Sequence, residues 1–162
     1  AAQNNMIISP AMWREFIKPQ LKRVFDIGKE AGLYLAYHCC GALRPIIPDL
    51  IEIGLDVLNP VQSLCPGMDP LDLKKDFGND LAFMGGLDTQ ELLPHGTAAE
   101  VKKGTAALVE GMSADGGGFI LAATHTLPPE TPLDNIFALY EEIGISREEI
   151  LDRAADFRKE KR

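Results

Sequence analysis

Tyr34-Leu35-Ala36-Tyr37-His38-Cys39-Cys40-Gly41 decides how the rest of this chain is read. Mostly apolar residues run straight into a histidine, two cysteines and a glycine. Such a run, after a helical segment that stops at Gly32, reads as a short buried strand. Side chains alternate along extended backbone, so His38 and Cys40 point one way and Cys39 the other. An imidazole and a thiol side by side at the C-terminal end of a strand offer two ligands to a metal. A buried histidine beside a small apolar cysteine is the other reading, and spacing alone leaves both open.

Upstream, Ser9-Pro10 is a helix start, a capping hydroxyl followed by proline in the first turn. Trp13, Phe16 and Ile17 form one apolar stripe, and Pro19 is expected to break or kink the helix. A second helical piece carries Leu21, Val24 and Phe25. Downstream, Leu43, Ile46, Ile47, Leu50 and Ile51 recur at helical spacing, and Gly54 closes them. A strand over 56–60 follows, then a turn-rich loop over 61–70 that holds Cys65, then a short helix over 71–77. The next apolar strand, 81–84, runs into Gly85-Gly86-Leu87-Asp88-Thr89-Gln90, read as a tight loop. His95 reads as a solvated loop residue ahead of Thr97, which forms a capping box with Glu100. Gly116-Gly117-Gly118 turns into a fourth strand, 119–123, which exits through Thr124-His125-Thr126. Thr131-Pro132 opens another helix. Ser146 with Glu149 opens a charged tail helix that reaches about residue 162.

A helix, four strand–helix units and a tail helix predict an α/β fold with a parallel sheet and right-handed crossovers. The 162 residues fit a single domain with its own core. Chemistry in such folds sits at the C-terminal strand ends. All four ends here carry polar or metal-capable residues. A net charge of −8, with the acidic excess spread along the chain, argues against a phosphate-binding face and so against nucleic acid. No apolar run approaches the roughly 20 residues of a membrane span. No basic-then-apolar leader is visible, so a cytoplasmic protein without membrane attachment is expected. Three cysteines, two of them adjacent, make no disulfide framework and suit a reducing compartment. Gly85 and Gly86 precede no phosphate-loop lysine, which disfavours a nucleotide.

At its strand ends the chain resembles the uroporphyrinogen decarboxylase-like superfamily, and within it the corrinoid- and zinc-dependent methyltransferase branch. The resemblance rests on Ile8-Ser9-Pro10 with Trp13-Arg14-Glu15-Phe16 and Pro19, and on His38-Cys39-Cys40-Gly41. It continues through Gly54-Leu55-Asp56 with Asn59-Pro60-Val61-Gln62, Gly85-Gly86-Leu87-Asp88-Thr89-Gln90, and Thr131-Pro132-Leu133-Asp134-Asn135-Ile136. Each motif alone is weak, but the five stand in family order from about residue 6 to 144.

The resemblance implies a TIM-type (β/α)8 barrel. Such barrels need about 250 residues, so the chain reads as the C-terminal half-barrel: four β/α units and a tail helix. Unpaired parallel edges predict self-association. The resemblance also implies zinc held by His38, Cys40 and, by chain order, His125. It implies a corrinoid (methylcobalamin) on a partner protein, and a small-molecule thiol acceptor or methoxylated methyl donor. Asp88 is expected to orient substrate or a histidine, with a turn aspartate bonding its own backbone as the alternative. Gln62, Gln90, Gly85 and Gly86 are expected at the substrate rim. Cys39 is read as packing, with a role as the ligand in place of its neighbour as the alternative, and Cys65 is read as an incidental loop residue. The decarboxylase branch is the rival enzyme reading. Its members lack His-x-Cys-Gly and exit the last strand through Gly-His-Gly. The residues that hold porphyrin carboxylates there lie in the N-terminal half. A non-catalytic half-barrel that only binds a ligand or partner is the third reading.

Overall fold

The computed structural model describes residues 1–160. Ser9 accepts the Met12 N–H through its hydroxyl and opens α1 (Pro10–Met12). Residues Trp13–Ile17 make a π-helical turn that leads into α2 (Lys18–Glu30). The expected break at Pro19 does not occur. The wider π turn moves aside the carbonyl that the proline ring would strike, and Pro19 falls in the first turn of α2, where its missing N–H costs little.

β1 (Ala36–His38) is followed by a 3₁₀ turn (Arg44–Ile46), α3 (Ile47–Glu52), β2 (Val57–Val61) and α4 (Pro70–Phe77). Next come β3 (Ala82–Leu87), the short α5 (Leu92–His95), α6 (Ala98–Met112) and β4 (Phe119–Ala123). α7 (Leu133–Glu142) and α8 (Arg147–Glu160) close the described chain. The expected last two residues of the tail helix lie outside the described residues. The four strands are all parallel and lie in the order β1-β2-β3-β4.

Three expectations change. β1 is shorter than the 34–39 strand and is not buried: Ala36 and His38 are exposed, and Tyr34 is 88% exposed. The strand is a sheet edge, with a neighbour on one side only. β3 runs on through both glycines instead of ending at 84. Gly85 and Gly86 have φ of 123° and 88°, and a Cβ on Gly85 would come within 2.8 Å of the Val61 nitrogen. Glycine there lets β3 lie close to β2, where the pairing register shifts. His95 ends α5 rather than sitting in a loop. The capping box of Thr97 and Glu100 is present as expected.

The register sets Tyr37, Leu58, Phe83 and Phe119 in one row across the sheet. Leu58 and Phe83 are fully buried and pack with Leu43, Ile47, Leu50, Leu73 and Met112 from the connecting segments. His38, Asn59, Met84 and Ile120 alternate to the opposite face. That face is open, with Ile120 50% exposed.

The buried Asp49 on α3 ties the N-terminal helical stretch to this core. It accepts from Arg14 Nε at 2.9 and 3.1 Å and from Lys18 Nζ at 2.8 Å. The Arg14 hydrogen bonds, with Lys18 adding to them, hold its carboxyl below the usual range against the effect of burial. An unfolded aspartate titrates near about 3.9. The stabilisation is therefore present above that value and is lost as pH falls toward the lower folded value. Wild-type urea midpoints should fall more steeply below about pH 4 than those of Asp49→Asn. Parallel pH profiles for the two proteins would contradict the assignment.

Candidate metal centre

His38 is the last residue of β1, Cys40 lies two residues on, and His125 lies two residues past β4. Among the described residues these three side chains form a group whose candidate ligand atoms all lie within 4.8 Å of one another. His38 Nε2 is 3.6 Å from Cys40 Sγ. Zinc–sulfur and zinc–nitrogen bonds at a tetrahedral angle place the two ligand atoms about 3.6 Å apart, so this edge already has the spacing of a zinc site. The His38 and His125 rings stand edge to face, 6.4 Å between centroids and 72° between planes. Two imidazoles and a thiol are a donor set that zinc accepts. Both histidines are exposed and Cys40 is half-buried, so a ligand can reach the group.

Local structure explains the convergence. After Cys40 the chain turns at Gly41, whose φ is 96°. The Gly41 N–H donates to Gln62 Oε1 at 2.6 Å, which pins the turn to the end of β2. At the other end, Thr124 donates its N–H to the Leu87 carbonyl at 2.8 Å. Its hydroxyl lies 3.0 Å from that of Thr89 and accepts the Thr89 N–H at 3.3 Å. These buried bonds fix the exit of β4 against the exit of β3, and His125 is the next residue. A cleft of about 440 Å³ opens beside the group, lined by Cys40, Gln62, Thr89, Gln90, His125 and Thr126 among others.

The remaining expected residues divide. Gln90 lines the cleft, its Oε1 accepting from the Gln3 amide at 3.1 Å. Gln62 also lines it, but its oxygen is taken by Gly41 and faces the Cys65 thiol at 3.8 Å, which leaves the NH2 for a ligand. Asp88 takes the turn role. It is 9% exposed, and its carboxylate accepts the N–H groups of Gln90, Glu91 and Leu92 at 3.0, 2.7 and 2.8 Å. Gly85 and Gly86 serve backbone packing inside β3 and do not line this cleft; a Cβ on Gly86 would meet Leu108 at 3.1 Å. Cys39 packs against the core. Burial, with Cys40 adding to it, pushes the Cys65 thiol up, as suits a packing cysteine. Asn59 was missed as an individual residue. Its Oδ1 lies 2.7 Å from His38 Nδ1. The signal was available, since a polar residue in an apolar strand next to the histidine strand is a candidate partner.

The family model for uroporphyrinogen decarboxylase (URO-D) matches residues 2–144. The chain belongs to that family. This URO-D family chain is 28% identical over 101 residues to the methylated-thiol–coenzyme M methyltransferase of Methanosarcina mazei, covering 60% of the chain and 24% of that protein. It is 25% identical over 133 residues to the methylcobamide:CoM methyltransferase MtaA of Methanosarcina barkeri, covering 82% and 36%. It is 29% identical over 136 residues to the uroporphyrinogen decarboxylase of Thermus thermophilus, covering 80% and 35%. A solved methyltransferase from Methanosarcina mazei has the same fold, with a TM-score of 0.66 at 24% identity over 83% of this chain and 37% of that one. The chain thus spans about a quarter to a third of its curated relatives, and its four parallel strands are part of the barrel. Among the described residues no helix is long and apolar enough to cross a membrane.

The turn role of Asp88 has a measurable consequence. Asp88→Ala leaves three backbone N–H groups without their acceptor and should cost about 1–3 kcal/mol in urea unfolding. Asp88→Asn keeps an acceptor oxygen and should cost less. Negligible losses in both would contradict the capping role.

Proposed function

We propose that the full-length parent of this chain is a zinc-dependent methyltransferase that moves a methyl group to or from a corrinoid on a partner protein. The convergence of His38, Cys40 and His125 carries the proposal. Three protein ligands leave one position of a tetrahedral ion for a substrate. The activities for which the two Methanosarcina relatives are named support a thiol as methyl acceptor. A methoxylated donor is the other substrate that the same donor set suits.

His38, Cys40 and His125 would hold the ion. Bound zinc supplies Lewis acidity, which favours the ionised form of a thiol or polarises an ether oxygen. The chain's own residues do the rest. Gln62, with its oxygen tied to Gly41, presents its NH2 to the cleft, and Gln90 and Thr126 supply further polar groups for orienting a substrate. In transfer to a thiol, the corrinoid would supply the methyl group and keep the electron pair of the bond that carried it. The thiol sulfur would supply the pair of the new carbon–sulfur bond, and the thiol proton would pass to solvent.

The short coverage of the relatives supports reading these residues as a single domain, the C-terminal half of the parent barrel. The outer edges of β1 and β4 then pair with strands of the parent that this chain lacks. In the isolated chain a second copy meets those edges. Sedimentation of the 162-residue chain should show a dimer; a monomer across the accessible concentration range would rule self-association out.

The Thermus relative supports a second reading, decarboxylation of a tetrapyrrole, in which His125 acts without a metal. Elemental analysis separates the two. About one zinc per chain is expected, lost in His38→Ala and Cys40→Ala. In the parent, the same changes should slow methyl transfer from methylcobalamin to a thiol by more than about 100-fold. Zinc that survives both substitutions would defeat the proposed centre. A zinc-free protein whose parent decarboxylates a tetrapyrrole would establish the second reading. Corrinoid-protein binding without turnover in the parent would instead mark a non-catalytic binder.

A further inference from the structure

We propose that Asn59 is a positioning residue that holds His38 as the Nδ1–H tautomer and so turns the Nε2 lone pair toward Cys40. The proposal rests on the metal reading of the site, and it names a residue outside the three ligands.

The placement follows from strand pairing. His38 and Asn59 are register partners in the parallel β1–β2 pair, so their side chains leave the sheet on the same face. Asn59 Oδ1 lies 2.7 Å from His38 Nδ1. The orientation of the amide is set from its other side: Asn59 Nδ2 donates to the Met84 backbone carbonyl at 3.5 Å. A carbonyl only accepts, so the NH2 faces β3 and the oxygen faces β1. That oxygen can also only accept, so His38 must carry its hydrogen on Nδ1. Nε2 is then unprotonated in the neutral ring, and it is the nitrogen 3.6 Å from Cys40 Sγ.

The same residue acts through its backbone. The Asn59 carbonyl accepts the Cys39 N–H at 2.8 Å, which holds the chain extended from His38 into the cysteine pair. One residue of β2 therefore sets both the ring orientation of His38 and the path of the segment that carries Cys40. A metal-bound histidine needs its other nitrogen held in this way. Removing such a partner elsewhere costs about 10- to 100-fold in metal affinity.

Two measurements on the full chain test this. The first uses metal-free protein labelled with 15N in histidine at pH 8, where long-range proton–nitrogen spectra read the neutral tautomer. His38 should be Nδ1–H in the wild type, a mixture of tautomers in Asn59→Leu, and Nδ1–H again in Asn59→Asp, whose carboxylate restores the acceptor. The second is zinc titration against a chromogenic chelator. Asn59→Leu should bind about 10- to 100-fold more weakly than wild type, and Asn59→Asp should recover that loss. A wild-type His38 in the Nε2–H form would overturn the proposal without any variant having to fold. Zinc affinity and tautomer both unchanged in a folded Asn59→Leu would also overturn it, while leaving the metal centre standing. The expected tautomers in a chain that binds no zinc would uphold the role of Asn59 in orienting His38 and defeat the metal reading.

Discussion

Parallel pairing of β1 with β2 sets Tyr37 against Leu58 and His38 against Asn59. A slip of one residue would reverse every side chain, burying His38 and exposing Tyr37. Burial on the far face resists that slip. Tyr37 meets Phe25 edge to face at 6.2 Å, and Leu58 and Phe83 are excluded from solvent in the same row. The apolar row Tyr37–Leu58–Phe83–Phe119 thus dictates the face on which His38 and Asn59 stand. The side of the sheet on which the candidate centre forms is chosen by residues buried on the other side.

An edge strand of three residues has few backbone bonds of its own, and polar struts supplement them. Asp56 accepts from Lys29 Nζ at 2.6 and 2.7 Å and from the Leu35 N–H at 2.7 Å. It therefore joins the end of α2 to the start of β1. Burial opposes the charge, yet Lys29 and the Leu35 N–H hold this carboxyl below its usual range. Asp49 does the same work farther back, between α3 and two residues of the N-terminal stretch, Arg14 in the π turn and Lys18 at the start of α2. The path from the first helix to His38 is fixed by two carboxylates and one aromatic contact.

Much of this was legible in the sequence, because the signals were local. Four apolar runs separated by helical periodicity gave the parallel α/β order. Thr97 with Glu100, and Ser9 with Pro10, marked helix starts that the structure keeps. His38 and Cys40 stand out by their spacing at a strand end, and the family resemblance added His125; the distance that brings the three together is a property of the folded sheet. The glycine pair misled for a physical reason. Gly85-Gly86 looks like a loop wherever a backbone must turn, but here Gly85 answers a close approach of β2 and Gly86 one of Leu108 on α6, both created only by folding. Asp88 misled because a strand-end carboxylate looks the same whether it faces a substrate or caps the next turn. Asn59 carries only a general signal, a polar residue in an apolar strand; the register is what pairs it with His38.

The candidate ligands come from the C-terminal ends of the first and last strands of the sheet, the two that lie farthest apart in its order. Three spacings of about 4.8 Å would set the β1 and β4 backbones about 14 Å apart along the sheet. The ligand atoms nevertheless lie within 4.8 Å of one another. The sheet must curl toward its open face to bring them together. An ion held there would work as a clasp across that curl, its affinity linked to the curvature. A strand paired with the outer edge of β1 or β4 would act on the same curvature and so on how tightly the clasp closes. By reciprocity, a closed clasp would change the angle at which those edges are presented.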